Sequence, residues 1–147
     1  MTRKTVDELL KEAGSRLDRL EPEDALAAQR DGALLIDTRS SDERRRTGVI
    51  PGAVHIPLSV LPWRVDPAGD PAYRNPHIAG LDQRLVVVCA HGFSSLLAAA
   101  TLQDLGFSQA TDVIGGFEAW QERDLPVHPA IDANYGTVLP GMGQPDA

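Results

Sequence analysis

The sequence predicts an α/β domain with a central, mostly parallel sheet and helices on both faces. Two short apolar runs, Ala33 to Ile36 and Leu85 to Val88, are bounded by polar or turn-forming residues and read as buried parallel strands. Segments of helical periodicity alternate with them along the chain. With 147 residues, 42% hydrophobic and 24% charged, the chain has the make-up of one domain that buries about 70% of its unfolded surface.

The elements follow in order. Residues 3–20 place Val6, Leu9 and Leu10 at helical spacing, with charges on the remaining face and Gly14 as a break. A second short helix is expected from Pro22, with acids in its first turn and Gly32 after its end. After the first strand, SSDERRRTG reads as a helical turn, Pro51-Gly52 as a turn and Ala53 to Ile56 as a short strand. Pro67, Pro71, Pro76, Gly69 and Gly80 mark residues 66–82 as an irregular connection. Beyond the second strand, Ser94 and Ser95 open a helix whose Ala98, Leu102 and Leu105 share a face and which stops at Gly106. Ala110 to Ile114 reads as a strand, Gly115-Gly116 as a turn, and Phe117 to Arg123 as a closing helix anchored by Trp120.

Fourteen Lys and Arg against twenty-one Asp and Glu give a net charge of −7, which argues against nucleic-acid or anionic-membrane partners. No apolar run is long enough for a membrane span, and the polar opening MTRKTVDELLKEAG is unlike a signal peptide, so a cytoplasmic location is expected. One cysteine, Cys89, excludes an internal disulfide and a multi-cysteine zinc site. His91 stands two residues after it, but no supporting ligand motif accompanies the pair.

Cys89 closes an apolar strand ahead of a short glycine-containing loop and a helix start. A thiolate there gains inward-pointing N–H groups and the positive end of the helix dipole, which lowers its pKa and makes it a nucleophile. Gly92 permits the loop to curl round an anion. The other reading, a small buried residue ending a core strand, stays open on this spacing alone.

Four segments resemble, in order, the single-domain rhodanese-like sulfurtransferases. Leu35 to Arg39 with Glu43 resembles that family's aspartate-x-arginine element. Gly48 to Pro57 is similar to its glycine-x-isoleucine-proline-glycine-alanine signature, the cysteine loop follows, and Gly115 to Trp120 resembles its closing double-glycine and tryptophan element. The resemblance implies a three-layer rhodanese-like domain over residues 15–129, preceded by a helical extension at 1–14 and followed by a poorly ordered tail at 130–147.

It also implies covalent sulfur transfer, in which the Cys89 thiolate takes a sulfane sulfur from thiosulfate or a persulfide and passes it as a persulfide to a thiol or cyanide. A protein donor or acceptor is a further possible partner, and no metal or organic cofactor is needed. Ala90, His91, Gly92, Phe93 and Ser94 would cradle the terminal sulfur with backbone N–H groups. Many family members end this loop with arginine, whereas Ser94 stands here, so weak use of the thiosulfate dianion is expected. Ser94 offers one hydrogen bond or a helix cap, and His91 offers positive charge when protonated. Arg64 is a candidate substitute for the missing arginine, with Trp63 beside it. Arg39 is a candidate for the pocket, although an ion pair with Asp37 is the stronger expectation.

Cysteine phosphatases need an arginine six positions after the cysteine, where this chain has Ser95. Arg44, Arg45 and Arg46 read as a solvated helix face. The alternative to an enzyme is a non-catalytic rhodanese-like module that binds partners or senses persulfide.

Overall fold

In the computed structural model, which describes residues 2–130, the two apolar runs pair as central neighbours of a four-stranded parallel sheet. Its strands are β1 (Leu34–Asp37), β2 (Val54–His55), β3 (Leu85–Val88) and β4 (Thr111–Asp112), ordered β2-β1-β3-β4. Register runs from Leu34 opposite Leu85 to Asp37 opposite Val88. Alternation along a strand sends successive side chains to opposite faces. Ile36, Leu85 and Val87 therefore enter one core, while Leu35, Val86 and Val88 enter the other.

Among the described residues, six α-helices accompany the sheet: α1 (Val6–Arg16), α2 (Pro22–Arg30), α3 (Ser41–Thr47), α4 (Leu61–Val65), α5 (Ser94–Asp104) and α6 (Gly116–Glu122). Residues of α1, α4 and α5 fill the first core, and Ala25, Ala28, Phe117 and Trp120 from α2 and α6 fill the second. Helices on both faces of a parallel sheet are what the sequence predicts. Trp120 is fully buried and donates its ring N–H to the Pro126 carbonyl at 2.9 Å. Local signals set the helix starts: Thr5 with Glu8, and Ser40 with Glu43, form reciprocal capping boxes. In the irregular connection, Asp66, Asp70 and Asn75 each accept the N–H two residues on, at 2.7–2.9 Å.

Two expectations are corrected. Gly14 does not break the first helix; it lies inside α1 facing Leu96 of α5, while the helix turns Leu10, Ala13 and Leu17 inward and leaves Val6 and Leu9 exposed. Small residues at 13 and 14 let the two helices approach, and Arg16 ties them by donating to Asp104 at 2.6 Å. The segment after β2, for which the sequence predicts no element, forms a 3-10 turn at Leu58–Val60 running into α4, because Pro62 suits a first helical turn and Leu61 and Val65 bury one turn apart. The expected tail lies, from residue 131 onward, outside the described residues.

The second correction concerns the arginine run. Arg45 and Arg46 are exposed, but Arg44 is 1% exposed, with its Nε 3.5 Å from Asp37 Oδ2. Asp37 also receives a forked bond from the buried Arg39, Nε to Oδ1 at 3.0 Å and Nη2 to Oδ2 at 2.8 Å. Arg39 further donates to Thr47 Oγ1 and the Gly48 carbonyl, both at 2.8 Å, and lies 3.7 Å above the Phe117 ring. His55 Nε2 bonds the Arg39 carbonyl at 2.7 Å. One carboxylate thus compensates two buried guanidiniums at the end of β1.

Replacing it removes the carboxylate that both guanidiniums share. Asp37→Ala is expected to cost about 3–5 kcal/mol of stability in urea denaturation. A loss within the roughly 1 kcal/mol of a surface pair would contradict this reading of the cluster.

Candidate active site

The strand order places β1 between β2 and β3, so the chain departs in opposite directions from the β1–β3 seam, where crevices form in open α/β sheets. Cys89 stands at that seam, one residue past β3, with its neighbour strand delivering Asp37 and Arg39. From Cys89 the chain curls through Ala90, His91, Gly92 and Phe93 into α5. No side chain caps that helix, so Ser94 does not take the capping role open to it. A sulfur does instead: Cys89 Sγ accepts the Ser95 N–H at 3.3 Å and the Gly92 N–H at 3.1 Å. Burial works to raise the Cys89 pKa, but the Ser94 hydroxyl and the two N–H groups outweigh it, holding the thiol below its ordinary value.

The floor of the loop is glycine. Gly92 has φ +87°, and a Cβ there would meet the Gly115 nitrogen at 2.6 Å. A Cβ at Gly116 would fall on the Cys89 carbonyl oxygen. With both absent, the start of α6 closes against the loop: Phe117 N–H donates to the Cys89 carbonyl at 2.8 Å, and Glu118 N–H to the Ala90 carbonyl at 3.1 Å.

On the interior side stands a second buried carboxylate. Asp112 of β4 accepts the Ser95 hydroxyl at 2.7 Å and a forked bond from Arg19, at 2.8 and 3.0 Å. Arg19 also donates to the Gly92 carbonyl at 2.9 Å.

The sequence-predicted site residues are distributed around this loop. Gly92 is buried, Ala90 and Ser94 are half-buried, and His91 and Phe93 face solvent, with His91 Nδ1 3.2 Å from Glu118 Oε2. Arg39 is engaged in the Asp37 cluster, and it shares a hollow of about 310 Å³ with Arg46, Ala90, His91 and Glu118. Ser94 opens on a different, apolar hollow of about 250 Å³ walled by Leu58, Pro62 and Leu97. Arg64 lies apart from Ala90 and His91, donating to the Tyr73 carbonyl at 3.1 Å in a third hollow with Val60 and Trp63. Among the described residues, no group of three His, Cys, Asp or Glu could hold a metal ion, and no helix is long and apolar enough to cross a membrane.

Sequence reasoning missed Ser95, Arg19 and Asp112 as parts of this site. The signal was present for one of them: an aspartate in the middle of the expected strand Ala110 to Ile114 is costly to bury without a partner.

The lowered Cys89 pKa has a sign in stability. Between the folded value and the ordinary 9.0, the unfolded chain binds a proton that the folded chain has lost, so stability rises with pH across that window. The contribution is present above the unfolded value and is lost as pH falls through the folded one. Urea denaturation of wild type and Cys89→Ser should show this rise in wild type only; parallel pH profiles would contradict it.

A family model for the rhodanese-like domain matches residues 21–123. Thiosulfate sulfurtransferase GlpE of Pseudomonas savastanoi pv. phaseolicola is 38% identical over 103 residues, which cover 70% of this chain and 86% of that relative. Among solved structures, the human single-domain sulfurtransferase TSTD1 is similar at a TM-score of 0.58 and 30% identity, covering 71% of this chain and 96% of that one. A Rhodopseudomonas palustris protein of unknown function, described as a possible tyrosine phosphatase, is similar at a TM-score of 0.77 and 31% identity, covering 87% and 97%. The matched span carries the parallel sheet, the cysteine loop and the glycine pair that closes on it, and the chain belongs to the rhodanese-like domain family.

Proposed function

We propose that this rhodanese-like sulfurtransferase moves a sulfane sulfur through Cys89 in two half-reactions. The thiolate attacks the outer sulfur of a donor; the donor's S–S bond breaks and its electron pair leaves on sulfite, when the donor is thiosulfate, or on a thiolate, when it is a persulfide. Cys89 then carries one added sulfur as a persulfide anion. An acceptor thiolate or cyanide attacks that terminal sulfur, the bond to Cys89 breaks, and the Cys89 thiolate is regenerated with the product persulfide or thiocyanate. The observation that carries this reading is the pair of N–H bonds, from Gly92 and Ser95, on a sulfur at the mouth of a helix.

The residues divide the work as follows in this reading. Cys89 is the nucleophile, and the backbone of Ala90, His91, Gly92, Phe93 and Ser94 surrounds the transferred sulfur with donors already oriented before reaction. Arg39 contributes through the wall of the hollow it shares with Ala90 and His91. The chemistry is assigned to residues 15–129, a span containing the match at 21–123. A single unpaired cysteine and a thiol acceptor suit a reducing compartment, which supports a cytoplasmic location.

Donor preference follows from charge. The name thiosulfate sulfurtransferase carried by relatives supports thiosulfate as one donor, while Ser94 gives its sulfonate no guanidinium inside the loop, so the persulfide is the tighter substrate. Phosphoryl transfer is disfavoured because Ser95 occupies the position where that chemistry needs arginine.

Intact-mass measurement of the reduced chain, after thiosulfate and separately after glutathione persulfide, tests the proposal. A gain of about one sulfur atom, removed by a thiol and absent in Cys89→Ser, is expected. No gain from either donor would instead support a module that keeps the fold without the chemistry. Arg64 is assigned a lesser part, reaching a thiosulfate donor when released from the Tyr73 carbonyl. Arg64→Ala should raise the thiosulfate KM severalfold with kcat little changed; an unchanged KM would remove Arg64 from the site.

A further inference from the structure

Gly92 and Ser95 donate the two N–H bonds to the Cys89 sulfur, and both are gripped from behind by the same ion pair. Arg19 Nη2 holds the Gly92 carbonyl, and Asp112 Oδ2 holds the Ser95 hydroxyl. The forked Arg19–Asp112 bond, 2.8 and 3.0 Å long, couples the two grips. Asp112 is fully buried on a sheet strand between Thr111 and Val113, a placement where an unpaired carboxylate would be costly. We propose that Arg19 is a positioning residue of the sulfur-transfer reaction: it neutralises Asp112 and pins the Gly92 carbonyl, so that the loop's N–H groups stay on the Cys89 sulfur.

Arg19 comes from the turn between α1 and α2, far along the chain from the loop, and reaches it because Leu20 bridges to Val113 beside β4. Leu20 N–H donates to the Asp112 carbonyl at 3.0 Å, and Ile114 N–H returns a bond to the Leu20 carbonyl at 2.8 Å. The arginine is therefore delivered by backbone pairing rather than by a flexible arm. Its side chain is 23% exposed, so the guanidinium is partly shielded and acts on the carboxylate with little competition from water. Without it, an unbalanced carboxylate beside Ser95 would oppose the thiolate and the persulfide anion alike.

Other charges around the loop are accounted for. Asp37, Arg39 and Arg44 compensate one another at the end of β1, and His91 faces Glu118 on the solvent side. None of these contacts involves Asp112.

The inference rests on the sulfurtransferase reading, but its deciding readout needs no sulfur donor. The pH dependence of Cys89 alkylation by iodoacetamide reports the thiolate directly. Arg19→Gln should raise the midpoint by about one unit, and Asp112→Asn should lower it, since the first leaves a carboxylate unbalanced and the second leaves a guanidinium unbalanced. Sulfur transfer by Arg19→Gln near pH 7 should fall about tenfold. General loosening of the fold would move both midpoints the same way, so opposite shifts support the proposal. Midpoints that stay put, or move together, overturn it even where melting temperatures fall. If Arg19→Gln does not fold, Asp112→Asn decides alone, by a lowered midpoint or its absence. Loss of sulfur transfer in wild type with the opposite shifts intact would reject the enzyme reading and leave the positioning of Cys89 standing.

Discussion

A loop that curls round a sulfur must turn several N–H groups toward one point, and in this chain that curl depends on how closely α6 approaches the backbone of Cys89. No side chain stands at Gly116, where a methyl group would strike the Cys89 carbonyl oxygen. That oxygen and the next one, on Ala90, are taken up by the first N–H groups of α6, so they do not turn inward toward the sulfur. The donors left over, from Gly92 and from the uncapped start of α5, then have the sulfur as their acceptor. Lowered thiol pKa and anion-accepting geometry are two results of that one approach.

Buried charge is arranged in two clusters that flank the loop. At the end of β1, Asp37 holds Arg39 and Arg44 and fixes the turn into α3. At the end of β4, Asp112 holds Arg19 and Ser95. Each cluster sits at the carboxyl end of a strand, where a parallel sheet leaves backbone groups to be satisfied by side chains. Neither cluster is evidence of net stability, since paired burial of ions roughly balances desolvation. Their consequence is geometric: the loop has fixed neighbours on both sides.

Much of this was legible in the sequence, and the physical reasons separate what was from what was not. Contiguous aliphatic runs identify β1 and β3 because a central parallel strand is covered on both faces. Pro22 at a helix start and the glycine pair before Phe117 carry their meaning within a few residues. Cys89, the loop and its family resemblance are likewise local. What stayed hidden is non-local: Arg44 reads as one of three solvated arginines because its carboxylate partner lies on a strand, and Arg19 meets Asp112 only after a parallel bridge has formed. The positioning of Ser95 was hidden for a related reason, since its N–H and hydroxyl act in different directions that no spacing rule reveals.

Sulfur transfer through a covalent intermediate requires that the donor's remainder leave before any acceptor arrives. The most direct test is a rapid-mixing measurement of sulfite from thiosulfate, and of glutathione from its persulfide, with no acceptor present. The account predicts a burst of about one equivalent per chain from a usable donor, abolished in Cys89→Ser. Release that begins only when an acceptor is added would show that sulfur passes directly between substrates, and would contradict a Cys89 persulfide as the carrier.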